Sequence, residues 1–120
     1  MRAARAWFTG KCKGLKTYDD LVKLAGPGTD ENASFRMVTS YWDMAASFIT
    51  GGVLNKELFF QSGRELLLTY VRISDVLPGI REAYKDPHYL RHLESVGKDF
   101  AAHWEAQNKD AYEAFVKRVK

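Results

Sequence analysis

Apolar residues recur at alternating steps of three and four along most of this chain, and few stretches alternate with period two. That spacing predicts helices and no sheet. Between Glu31 and Thr50, Phe35, Val38, Trp42, Ala45 and Ile49 form one stripe, and Met37, Tyr41, Met44 and Phe48 form a second beside it. From Asn55 to Leu77, Phe59, Gly63, Leu66, Tyr70, Ile73 and Leu77 make an inward stripe that Leu67 and Val71 widen. From Pro87 to Gln107 the core face is Leu93, Val96, Gly97, Phe100 and Trp104, and from Asp110 to Val119 it is Tyr112, Phe115 and Val119. Shorter helices are expected over Arg2 to Phe8, frayed by Gly10 and Gly14, from Thr17 to Ala25, and over Ile80 to Lys85.

The boundaries carry the usual punctuation. Thr17 with Asp20 three residues on reads as an N-cap with an acid in the first turn, and Asp30 and Asn55 read as the next caps. Gly26-Pro27-Gly28 and Gly51-Gly52 end helices, Pro78-Gly79 kinks or breaks one, and Asp86-Pro87 opens another. The expected fold is therefore all-α, a compact bundle of five to six helices.

Composition keeps the chain in the globular class. Its 120 residues are 46% hydrophobic and 28% charged, a single-domain length able to bury one core. The single cysteine, Cys12, excludes an internal disulfide framework and a cysteine-based zinc site. No apolar run approaches the roughly 20 residues of a membrane span. Trp7 and Phe8 are followed by three lysines within eight residues, which is no secretory pattern, so a cytoplasmic setting is expected.

The net charge of +3 hides an asymmetry. Residues 1–16 carry Arg2, Arg5, Lys11, Lys13 and Lys16 with no acid, and Lys117, Arg118 and Lys120 close the chain. Thr17 to Val116 holds ten bases against fifteen acids, a net −5. Residues 1–16 thus read as a basic, partly ordered segment ahead of a helical domain over 17–120. The basic ends could touch phosphates or an anionic membrane, but an acidic body opposes a wider nucleic-acid footprint.

Candidate chemistry is sparse. On a helix from Pro87, His88, His92, Ser95, Asp99 and His103 fall on one polar stripe, and two histidines four apart could chelate a metal. A second helix would have to complete the site, and the chain lacks both His-Glu-x-x-His and Glu-x-x-His, so a solvated face is the reading adopted. Cys12 sits between Lys11 and Lys13, which favour its thiolate, but no nearby base orients a nucleophile; it reads as a spectator thiol in a mobile segment. The glycine pairs precede no Lys-Ser/Thr and follow no strand, and Ser62-Gly63 belongs to no hydrolase elbow. No catalytic residue, metal ligand or cofactor is assigned.

The run Tyr41-Trp42…Ala45-Ala46…Gly51-Gly52-Val53-Leu54-Asn55-Lys56-Glu57-Leu58-Phe59-Phe60, followed by Pro78, Arg81, Tyr89-Leu90 and Leu93-Glu94, resembles a family of uncharacterised bacterial helical proteins, a domain of unknown function. The resemblance runs from Tyr18 to Trp104. It implies an all-helical cytoplasmic protein and brings no substrate, cofactor or active site.

Function is read from apolar surplus. A surface helix needs an apolar arc of roughly 100° or a little more, and the two central helices exceed it. With 16 aromatic residues in so short a chain, the second stripes exceed what one small core holds. The expectation is contact with another protein, most simply a homodimer through Met37, Met44, Leu67 and Val71. The alternatives are an accessory factor using its basic ends on nucleic acid or a membrane surface, and a binder of small molecules between helices.

Overall fold

Four helices start at a residue whose side chain accepts one of the first free amides. In the computed structural model, which describes all 120 residues, the chain forms eight α-helices and no strand. They are α1 (Arg2–Lys11), α2 (Tyr18–Ala25), α3 (Asp30–Thr50), α4 (Lys56–Ser62), α5 (Arg64–Ile73), α6 (Leu77–Tyr84), α7 (Arg91–Gln107) and α8 (Lys109–Val119). At α2 the Thr17 hydroxyl accepts from the Asp20 amide, while Asp20 Oδ2 accepts from the amides of Thr17 and Lys16. Those backbone donors hold the Asp20 carboxyl below its ordinary range. Thr29, rather than Asp30, caps α3, accepting from Asn32, and Asp30 sits in the first turn beside the positive end of the dipole. Asn55 and Asn108 cap α4 and α8.

The all-helical class is as the pattern predicts, but there are eight helices rather than five or six. The helix expected from Asn55 to Leu77 is interrupted at Gly63, whose φ of −88° and ψ of 32° leave the helical region. Phe59 folds back over this position so closely that a Cβ would lie 2.3 Å from its ring. A second interruption falls between Ile73 and Leu77, and α6 then opens with Pro78 in its first turn. The helix expected from Pro87 begins instead at Arg91. Asp86 Oδ1 accepts the His88 amide in a tight turn, and Leu90 takes the left-handed conformation at φ 57°. Arg81 fastens this turn, donating to the Tyr89 carbonyl at 2.9 Å and pairing with Glu94 at 3.2 Å.

Packing follows the apolar stripes. α3 and α7 make the most extensive contact; α1 and α2 lie against α3, α5 lies against α7 and α3, and α8 closes over α5 and α7. The main core gathers Phe8, Leu21, Phe35, Val38, Leu66, Ile73, Leu77, Ile80 and Leu93 among others. A smaller core, formed by Leu67, Val71, Phe100, Phe115 and Val119, lies beneath α8. The radius of gyration is 14.0 Å, close to what a compact chain of this length has.

Residues 1–16 differ from the expected loose segment. α1 carries Ala4 and Phe8 into the main core, and Cys12 and Leu15 follow them. Their steps of four, four and three put one small apolar row on an otherwise basic segment, and fully burying a phenyl ring contributes about 1.5–3 kcal/mol. Arg72 joins both ends of the chain to α5. It is almost completely buried, and its Nε donates to the Val119 carbonyl at 2.9 Å while Nη1 donates to the carbonyls of Phe8 and Thr9 at 2.6 and 3.0 Å.

Candidate functional site

α3 buries one of its two apolar stripes and leaves the other outward. Phe35, Val38, Ala46 and Ile49 are buried, with Trp42 and Ala45 half-buried beside them. Met37, Tyr41, Met44 and Phe48 are 49%, 45%, 50% and 45% exposed. Their steps of four, three and four keep them on one face of the helix. Ala33 and Ser40 lie alongside, and Ala33, Arg36, Met37, Ser40, Tyr41 and Met44 line a shallow depression of about 500 Å³. Beyond the end of α3 the chain turns so that the amides of Val53 and Leu54 both donate to the Phe48 carbonyl. Val53, Leu54 and Leu58 extend the run of exposed apolar side chains past the helix. Arg36 is the one charged residue lining the depression.

The four residues expected at an interface are therefore split. Met37 and Met44 share the outer face of α3. Leu67 and Val71 do not reach the surface, being 0% and 2% exposed. Instead, α8 packs its Phe115 and Val119 onto the second stripe of α5, so that stripe is a core between helices of one chain.

The histidines are dispersed. His88 lies in the turn before α7. His92 Nδ1 is 2.8 Å from Thr50 Oγ1, and His103 packs on the Phe60 ring at 5.2 Å. Asp99 is paired with Lys56 at 3.0 Å. No three His, Cys, Asp or Glu side chains come together as a metal would require. Cys12 is not a mobile thiol: it is fully buried, and burial pushes its pKa up to about 12, with nearby Arg72 acting in the opposite direction.

The basic ends, far apart in sequence, meet in space. The Gly14 amide reaches the Lys120 carbonyl at 3.4 Å, and Lys13 and Arg118 line one cleft between α1, α5 and α8. Sequence patterning gives no sign of this meeting, because it depends on the direction in which α8 returns across α5. Arg72 was equally hidden, since an arginine within an apolar stripe reads as a polar edge.

These surfaces and this fold define a small all-α domain with an outward apolar helix face and a basic cleft. A family model described as "Domain of unknown function (DUF4760)" matches residues 1–104, and the chain belongs to that family. No curated protein and no solved structure matches the chain. No helix is long and apolar enough to cross a membrane.

Proposed function

We propose that this protein acts by contact rather than catalysis, and that its partner on the outer face of α3 is a second copy of the same chain. The observation carrying this reading is the uncharged seam Met37, Tyr41, Met44 and Phe48, exposed on a helix whose opposite stripe is already satisfied by the core. Four bulky side chains exposed together on one face support a contact site there. A two-fold arrangement suits them, because a seam spaced four-three-four can face its own copy and itself carries no charge, Arg36 lying beside it. Small residues at Ala33 and Ser40 let a facing helix approach closely. Methionine, unbranched and polarizable, adapts to such a facing surface.

Sedimentation at micromolar concentration tests the proposal. A dimer of the 13.7 kDa chain is expected. Met44→Glu is expected to dissociate it with helix content unchanged, since Met44 is half exposed. A clean monomer for the native chain overturns the proposal, as does a dimer that tolerates Met37→Glu and Met44→Glu together.

A further inference from the structure

The cleft between α1, α5 and α8 has a volume of about 510 Å³, and it gathers cations that have no carboxylate partner. Lys13, Arg64, Arg72 and Arg118 line it, and none of the four forms a salt bridge in the chain. Glu65 is the one acid at the cleft, and both its oxygens are occupied by Arg5, at 2.8 Å from Nε and 2.5 Å from Nη2. The charge facing the cleft is therefore strongly positive. The carboxyl ends of α1 and α8 oppose it with roughly half a charge each, and three of their last carbonyls, those of Phe8, Thr9 and Val119, already accept from Arg72.

The donors are also presented in a usable way. Arg72 spends Nε and Nη1 on carbonyls, whereas Nη2 makes no hydrogen bond in the chain. Arg64, which also borders the neighbouring depression lined by Trp104, rests its guanidinium over that ring at 4.5 Å, and Arg118 rests over the Phe115 ring of the cleft at 5.7 Å. Stacking uses the face of a guanidinium and leaves its edge donors free for a forked acceptor. Leu68 and Phe115 supply an apolar wall beside these donors.

The geometry points to a binding site for a small organic phosphate: its phosphoryl oxygens meet Arg64, Arg72, Arg118 and Lys13, and its apolar body lies on Leu68 and Phe115. A phosphoryl group supplies the several anionic acceptors that two guanidinium edges, the remaining Nη2 of Arg72 and an ammonium demand, more than one carboxylate can. The volume falls within the range of small-ligand sites and suits a single-ring phosphomonoester. The site is independent of the outer face of α3 and stands whether or not that face self-associates.

Calorimetric titration of the full chain with phenyl phosphate tests the inference. One site per chain is expected, with affinity at least about tenfold weaker in Arg64→Gln/Arg118→Gln. Lys56→Gln/Lys98→Gln, which removes the same charge elsewhere on the surface, is expected to bind as the native chain does. Inorganic phosphate should compete weakly, and benzoate should bind at least about tenfold less tightly than phenyl phosphate. Absence of saturable binding overturns the inference, as does equal affinity in both double variants. Equal binding of benzoate overturns the assignment to phosphate. Tighter, steeply salt-dependent binding of a short DNA duplex overturns it in favour of a nucleic-acid surface. Circular dichroism of each variant ensures that an altered affinity is read from a folded protein.

Discussion

Asp43, in the middle of α3, accepts the backbone amide of Leu93 through Oδ1 at 2.9 Å and so closes the amino end of α7 from a neighbouring helix. α7 needs this help, because Leu90 precedes it in a left-handed conformation and no side chain of its own caps it. Asp43→Ala is expected to lower stability by about 1 kcal/mol, the usual worth of a lost cap, and by more if the register of α3 on α7 loosens. Asp43→Asn keeps the acceptor and is expected to retain most of that stability. Urea denaturation measures both, and an unchanged midpoint for Asp43→Ala would remove the cap from the account.

The cap shows where sequence reading stops. Periodicity found every long helix because α3 and α7 bury faces spaced by three and four, and Thr17, Asn55 and the glycine pairs marked boundaries through local chemistry. Asp43, fifty residues from Leu93, carries no local mark of its role. Nor did Leu67 and Val71. Their pattern states that they are apolar, whereas their burial depends on α8 landing on them. The seam at Met37 and Met44 was readable as a surplus because α3 has two full stripes, and a core fills from one side first.

Gly97 marks a close approach of α7 to α5. A Cβ there would stand 2.3 Å from Cγ of Tyr70 and 2.6 Å from its Cβ, atoms close to the α5 backbone that cannot swing away. In an exposed helix Gly→Ala gains up to about 1 kcal/mol, but here overpacking of about 1–3 kcal/mol opposes it. Gly97→Ala is expected to be destabilising, and pairing it with Tyr70→Ala should recover part of the loss in a double-mutant cycle. A more stable Gly97→Ala protein would contradict the packing of α5 on α7.

Cys12 offers a chemical readout of the packing of α1. Because the thiol is fully buried, a maleimide at pH 8 is expected to label the native protein far more slowly than the urea-unfolded chain. The alkaline behaviour has a definite sign. Unfolded, the thiol loses its proton near 9.0; folded, it keeps it until about 12. Between those values the unfolded state binds fewer protons, so stability falls as pH rises, by up to about 1.4 kcal/mol per pH unit from this group. The stability advantage of the native chain over Cys12→Ala is therefore expected to shrink above pH 9. Prompt labelling of the native protein, or a constant difference between the two chains up to pH 11, would mean that Cys12 is open to solvent.

Removal of residues 1–14 is expected to abolish cooperative folding, although their composition suggests a dispensable basic tail. The deletion takes Ala4, Phe8 and Cys12 from the main core and uncovers Phe35, whose ring lies 6.2 Å from that of Phe8. It also strips Arg72 of the Phe8 and Thr9 carbonyls, leaving a buried guanidinium with the Val119 carbonyl as its remaining partner. Truncating one buried phenylalanine to alanine costs about 3–5 kcal/mol, and whole domains are stable by only about 5–15 kcal/mol. Loss of the entire helix exceeds what a domain of this size can absorb. Phe8→Ala provides the graded form of the same test: it should remain folded and melt roughly 10–20 °C lower, since each kcal/mol moves a domain of this size by about 4 °C. A truncated chain that melts sharply within a few degrees of the full one would show α1 to be an ornament on a self-sufficient body. Far-UV circular dichroism followed through a thermal scan separates the two outcomes, because the body either keeps its helix and its transition or loses both.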